Sequence, residues 1–139
     1  MWARLLKPFY LIAAAGSLLS SVWMLAAPHS WYTNFPAAIP DTGPYNQHFV
    51  RDLGVAFAVC ALGLAWCAFN LARCFPVHLG ITAFLVGHAL VHVADLVTGR
   101  LPPHHWWMDT PLVFVPAAAL GLLALPLWRL QRNPAPLGR

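Results

Sequence analysis

The sequence predicts an all-α integral membrane protein, a four-helix bundle with up-down-up-down topology and both termini in the cytoplasm. Three observations predict this class. First, 60% of the 139 residues are hydrophobic and only 9% are charged, whereas about a quarter of the residues of a soluble domain are charged. Second, four apolar stretches approach the ~20 residues needed to cross a bilayer. Third, the basic residues gather on one side of the resulting topology. The chain forms a single domain over residues 1–139.

Proline and asparagine mark the boundaries of the first two helices. Pro8 suits the first turn of a helix over residues 9–27, where a missing amide proton costs little. This apolar run is longer than the roughly 7–15 residues of a signal-peptide core, so we expect the helix to be retained. Residues 28–45, rich in proline and aromatic residues, are predicted to form a loop. Asn46 suits the N-cap of a second helix over residues 47–72.

The third and fourth helices are bounded in the same way. A short connection leads into a third helix over residues 77–98, which therefore lies antiparallel to the second. Gly99 is a natural stop after it. Thr110 and Pro111 suit the N-cap and first residue of a fourth helix over residues 111–130.

The basic residues predict the orientation, because cytoplasmic segments of membrane proteins carry an excess of Lys and Arg. Only Arg100 lies in a connection on the side opposite the termini, with Arg51 just inside the second helix. We therefore expect a multi-pass protein of the inner (cytoplasmic) membrane, in contact with the lipid bilayer. Scattered positive charges of this kind do not indicate a nucleic-acid partner. The basic residues on the side of the termini are Arg4, Lys7, Arg73, Arg129, Arg132 and Arg139.

Ionisable residues recur at helical spacing on the second and third helices. His48 and Asp52 are four residues apart, as are His88 and His92, and Asp95 follows three residues later. Each set therefore lies on one helix face. The rise of ~1.5 Å per residue gives the depth of each residue below the outer helix edges. His88 lies ~15 Å below them. The other four lie within ~9 Å of them: His48, Asp52, His92 and Asp95.

Ionisable groups inside a membrane are costly, so they usually serve a function. Imidazole and carboxylate ligands suit Zn, Fe, Mn or Cu, and a site with few protein ligands leaves positions open for substrate. We therefore predict a transition-metal site near the outer face that serves redox or metal-handling chemistry. Such a site would suit a membrane metal-dependent oxidoreductase. Its predicted ligands are His48, Asp52, His88, His92 and Asp95.

Three other interpretations use the same residues. The group can be a structural network with Arg51 in a non-catalytic accessory subunit of a larger membrane complex. It can instead be a haem or quinone site, since haem needs one axial histidine from each of two helices, for instance His48 with His88 or His92. A proton path would also run through histidine and aspartate. Sequence does not distinguish a monomer from a homo-oligomer.

Two further groups of residues are assigned structural roles. Cys60, Cys67 and Cys74 recur every seven residues, and positions seven apart on one helix are separated by ~10 Å along its axis. We therefore expect that they do not pair and serve as packing residues. His104 and His105 follow two prolines in a loop, and we assign them to a loop lid or an interfacial anchor rather than to the ligands.

Two segments carry a resemblance to a known family. They are Asn-x-His-Phe-Val-Arg-Asp-x-Gly, from Asn46 to Gly54, and His-Ala-Leu-x-His-x-x-Asp, from His88 to Asp95. On these segments the chain resembles small bacterial membrane proteins of the broad DoxX-like group. The resemblance implies membrane redox chemistry, including electron transfer from thiosulfate to quinone. It assigns no catalytic residue.

Overall fold

A computed structural model describes residues 2–132 of the chain, and these residues fold into helices with no β-strand among them. Four of the helical segments are long and apolar enough to cross a membrane: Leu5–Ala26, Gln47–Phe69, Phe75–Val97 and His105–Arg132. The elements in chain order are α1 (Trp2–Ala26), α2 (Pro28–Asn34), a 3-10 helix (Ile39–Thr42), α3 (Gln47–Phe69), α4 (Phe75–Val97), α5 (His105–Met108), a π-helical turn (Thr110–Phe114) and α6 (Val115–Arg132).

The long helices expose apolar side chains on their outer faces. Ile12, Leu62 and Leu122, on three different helices, are each between 70% and 79% exposed. An exterior of this kind fits contact with lipid, because a soluble protein rarely exposes apolar surface over every helix. The membrane class predicted from composition agrees with these exteriors.

The ends of α3 are fixed by two asparagines. Asn46 acts as the predicted N-cap, because its side-chain oxygen accepts a hydrogen bond from the backbone N–H of Phe49 at 3.1 Å. The helix ends at Phe69 rather than at residue 72, since Asn70 leaves the helical conformation (φ −131°, ψ 43°). The Asn70 amide then donates to the carbonyl of Trp66 at 2.9 Å.

The prediction that residues 28–45 form only a loop is wrong. They contain α2 and the 3-10 helix, and the signal for α2 is Pro28 at its first position. Trp31 of α2 is buried in a core with Met24 and Val50. Its indole N–H donates to Ser20 Oγ at 3.3 Å. This segment is therefore packed onto α1 and α3, which positions the 3-10 helix that follows.

Close packing of α1 against α3 depends on one glycine. A Cβ atom at Gly54 would lie 3.0 Å from Met24 Cβ and 3.1 Å from Leu25 Cγ. At the same level Ser21 Oγ donates to the Gly54 carbonyl at 2.8 Å. Small residues permit this approach in membranes, where helices associate through packing and hydrogen bonds.

The fourth spanning segment begins differently from the prediction. Thr110 does not cap a new helix, because its hydroxyl donates back to the carbonyl of Trp106 at 2.6 Å. The carbonyl of Asp109 accepts from the N–H groups of Val113 at 2.7 Å and Phe114 at 3.2 Å, which forms the π-helical turn. Pro111 has no N–H to donate. Asp109 thus lies where α5 passes into α6, at a kind of turn that is frequent at functional sites.

Candidate functional site

Three of the five predicted ligands form contacts near helix ends that involve neither His88 nor His92. His48 Nε2 lies 3.3 Å from Asp52 Oδ2, and the two side chains are 88% and 65% exposed. Asp95 Oδ1 accepts a hydrogen bond from Arg100 Nη1 at 3.2 Å. Both contacts join residues close in sequence.

The other two predicted ligands associate with an aspartate from the third connection. His92 Nδ1 lies 2.7 Å from Asp109 Oδ2, so its acidic partner is Asp109 rather than Asp95. The His88 ring packs against the His92 ring with 4.7 Å between centroids. On its other side His88 stacks on Phe84 at 6.4 Å.

Asp109 also holds a second histidine. Asp109 and His105 are both fully buried, and His105 Nδ1 lies 3.1 Å from Asp109 Oδ1. An ionised carboxylate only accepts hydrogen bonds, so both imidazoles donate from Nδ1 and keep a free lone pair on Nε2. One buried carboxylate thereby fixes the tautomer and orientation of His92 and of His105.

The free nitrogen of His105 points towards the first connection. His105 Nε2 is buried without a hydrogen-bond partner and lies 3.4 Å from Asp41 Oδ2. His104 Nε2 lies 3.1 Å from the same oxygen, and the side chains of His104 and Asp41 are 46% and 37% exposed. Asp41, His104 and His105 offer three ligand atoms that all lie within 4.8 Å of one another. We call these three residues the metal triad, and the triad with His88, His92 and Asp109 the His/Asp cluster.

The five ligands predicted from sequence are not assembled into one site. Within residues 2–132, the metal triad is the one set of three His, Cys, Asp or Glu residues with ligand atoms this close together. Four of the five residues are expected at a similar level along the helix axes, but a shared level does not determine which way each helix face points. His88 and His92 join the His/Asp cluster, whereas His48, Asp52 and Asp95 make the contacts described above. Metal binding by the predicted five stays a prediction.

The sequence predicts a lid or an interfacial anchor at His104 and His105. Full burial of His105 fits neither role, since both require a side chain at the surface. The signal that could have found it is the spacing of His105 and Asp109, four residues apart, the same spacing that drew attention to His48 and Asp52. Residues four apart share a face only in a helix, and residues 100–109 are predicted to form a loop, whereas the structure has α5 there.

A second group of buried polar side chains joins α1, α4 and α6. His78 Nε2 donates to the carbonyl of Leu120 at 3.0 Å, so its Nδ1 is the acceptor for the hydroxyl of Tyr10 at 2.8 Å. Thr82 Oγ1 lies 3.3 Å from His78 Nε2. Both ring nitrogens of His78 are therefore occupied. We call Tyr10, Cys67, Cys74 and His78 the Tyr/His/Cys cluster.

The three cysteines are free and buried, as predicted, but Cys67 and Cys74 do not lie two turns apart on one continuous helix. Because α3 ends at Phe69, Cys74 turns back, and its carbonyl accepts a hydrogen bond from Cys67 Sγ at 3.8 Å. Cys74 Sγ lies 4.0 Å from Tyr10 Oη. The Cys74 thiol donates to the carbonyl of Leu71 at 3.3 Å, and interaction with the Cys67 thiol lowers the pKa of Cys74 to about 7. Cys60 is buried in the core and fits the predicted packing role.

The metal triad has the donor set of a transition-metal site. Two imidazoles and one carboxylate suit Zn, Fe, Mn or Cu and leave coordination positions open for water or substrate. A carboxylate that holds the far nitrogen of a ligating histidine, as Asp109 holds His105, is the usual support of such a ligand. No family model, curated protein or solved structure matches this chain.

Proposed function

We propose that this chain is a multi-pass protein of the inner membrane that binds a transition-metal ion at Asp41, His104 and His105 and uses it in redox or metal-handling chemistry. The four apolar spans support the membrane assignment. Of redox chemistry and metal handling, the resemblance to the DoxX-like group favours redox chemistry.

One observation carries the metal assignment. His105 Nε2 is a fully buried nitrogen with no hydrogen-bond partner, and an unsatisfied buried polar atom costs about 1–3 kcal/mol. The hydrogen bond from Nδ1 to Asp109 leaves a lone pair on Nε2, and that lone pair faces Asp41 and His104. A metal ion between these three residues would satisfy all of them at once.

The rest of the His/Asp cluster gives the proposed site its support. Asp109 holds His105 by one oxygen and His92 by the other, so the ligand is anchored to α4 as well as to its own helix. Removal of a side chain that holds a ligand in this way typically lowers metal affinity by about 10- to 100-fold. Exposure of Asp41 and His104 leaves the opposite side of the triad open to the aqueous phase.

We place the metal triad near the outer face, with both termini in the cytoplasm and the helices running up-down-up-down. The count of basic residues supports this orientation, because the connections that contain the triad carry Arg100 alone. In this orientation the site takes its ion or substrate from the periplasmic side or from the outer leaflet. An accessory role in a larger complex, or a homo-oligomer, is compatible with the same site.

Elemental analysis of the purified protein and its variants tests the proposal. The metal triad and the ligands predicted from sequence share no residue, so variants at each set show which one holds the metal. We expect near-stoichiometric transition metal in the wild-type protein, and its loss from the Asp41→Ala and His104→Ala variants. Both side chains are partly exposed, so these variants should fold. His48→Ala and Asp52→Ala are matched controls, because they remove an exposed histidine and aspartate outside the triad, and they should retain the metal.

Two results would overturn the proposal. One is wild-type protein that is folded and remains metal-free after incubation with Zn, Fe, Mn and Cu salts. The other is full metal content in the Asp41→Ala and His104→Ala variants. Loss of metal in the two control variants instead would favour the ligands predicted from the sequence. An absorption spectrum with a Soret band would favour haem.

A further inference from the structure

Two thiols that play no part in the metal triad lie at the turn where α3 ends, with Cys67 Sγ 3.8 Å from the carbonyl oxygen of Cys74. Cys67 lies in the last turn of α3 and Cys74 is the N-cap residue of α4, and neither has any solvent exposure. We propose that Cys67 and Cys74 form a second metal site, which holds one soft monovalent ion, Cu(I) or Ag(I), between two thiolates. This site is independent of the proposed function at the metal triad.

The backbone fixes the distance between the two thiols. Asn70 ends α3, and its carbonyl accepts a hydrogen bond from the N–H of Arg73 at 2.9 Å, which closes the turn. The carbonyl of Cys74 accepts from the N–H of His78 at 2.8 Å and from the Cys67 thiol at 3.8 Å. The Cys74 thiol in turn donates to the carbonyl of Leu71 at 3.3 Å, so the backbone of this turn holds both thiols in place before an ion arrives.

The number of available ligands selects the kind of ion. His78 is the histidine of the Tyr/His/Cys cluster, and its two ring nitrogens are occupied by Tyr10 and the Leu120 carbonyl. Among the described residues, no third His, Cys, Asp or Glu brings a ligand atom close enough to complete a larger set. Zn²⁺ requires four ligands in a structural site, whereas soft thiolates select Cu(I).

Charge at this turn also favours a thiolate pair. Binding converts two thiols and one monovalent cation into a complex of net charge −1, and two protons leave to solvent with no change of oxidation state. Arg73 precedes Cys74 directly, and Lys7 Nζ lies 4.7 Å from the centre of the Phe69 ring at the end of α3. Nearby cations stabilise thiolates. A cavity of about 240 Å³, lined by residues 69–73, opens at the turn that joins the two cysteines.

Titration of the wild-type protein with Ag(I), under anaerobic conditions and with a competing chelator, tests the proposal. We expect one tightly bound equivalent. Cys67→Ala and Cys74→Ala should each weaken Ag(I) binding by more than about 100-fold. Loss of a group that only orients a ligand already lowers metal affinity by about 10- to 100-fold, and these variants remove a ligand itself. Cys60→Ala is the matched control, since it removes the third buried cysteine, and it should bind Ag(I) as the wild type does. Asp41→Ala should also leave Ag(I) binding unchanged, which separates this site from the metal triad.

Unchanged Ag(I) affinity in a Cys67→Ala/Cys74→Ala double variant would overturn the proposal, as would a wild-type protein that binds no Ag(I). Should the cysteine variants fail to fold, X-ray absorption of the Ag(I)-loaded wild-type protein decides. Two sulfur neighbours and no nitrogen or oxygen neighbour support the site. Any nitrogen or oxygen neighbour refutes it.

Discussion

Replacing Asp109 by alanine should destabilise the protein more than removing any other acidic side chain. Asp109 is fully buried and accepts hydrogen bonds from His92 at 2.7 Å and His105 at 3.1 Å. The change leaves the N–H donors of the buried His105 and the partly buried His92 unsatisfied, at about 1–3 kcal/mol each. In the unfolded state within a membrane these N–H groups find other hydrogen-bond partners, so we expect a loss in the lower half of the combined range, about 2–4 kcal/mol.

Reversible unfolding in mixed detergent micelles measures this loss of free energy. Asp95→Ala is the matched control, because Asp95 pairs with an Arg100 side chain that is largely exposed, and such surface pairs contribute at most about 1 kcal/mol. In the double variant His92→Ala/Asp109→Ala the losses should not add, with a coupling free energy of about 0.5–3 kcal/mol. Equal losses in Asp109→Ala and Asp95→Ala, or additive losses in the double variant, would refute the reasoning.

Three further changes test the packing and the buried hydrogen bonds by the same unfolding measurement. Gly54→Ala should cost about 1–3 kcal/mol, because the new methyl group overpacks against α1; Gly16→Ala, with nothing within 4 Å of the added Cβ, should be neutral or slightly stabilising. Tyr10→Phe should cost about 1–3 kcal/mol, because it leaves the buried His78 Nδ1 without its donor, and an unchanged stability would contradict the assigned tautomer. Asn46→Ala should cost about 0.5–2 kcal/mol through loss of the N-cap of α3, while Asn46→Asp, which keeps the acceptor, should restore most of it.

The spanning helices could be predicted because length and hydropathy are local properties of the chain. Asn46 was found as an N-cap for the same reason, since its oxygen bonds three residues along the chain. The ~10 Å separation expected between Cys67 and Cys74 holds only for two positions on one continuous helix. Because α3 ends at Phe69 and Cys74 follows the next turn, that expectation does not apply and the contact between the two residues could not be predicted from their spacing.

The metal triad could not be predicted from helix faces, because it is assembled from two connections. Asp41 belongs to the 3-10 helix, and His105 to α5, both in segments expected to be loops. Periodicity indicates which residues share a face of one helix, but it carries no information on how two connections fold onto each other. The buried Asp109 was likewise placed in a loop, although its spacing from His105 is helical.

The position of Asp41 has a consequence for membrane insertion. This residue is synthesised before α3 and α4, whereas His104 and His105 follow both of these spans. The two connections meet only when α3 and α4 have crossed the membrane as a pair and returned the chain to the same side. A chain that inserts one of them without the other has Asp41 and His104 on opposite sides of the bilayer. Close approach of Asp41 to His104 would therefore indicate that both α3 and α4 have been inserted.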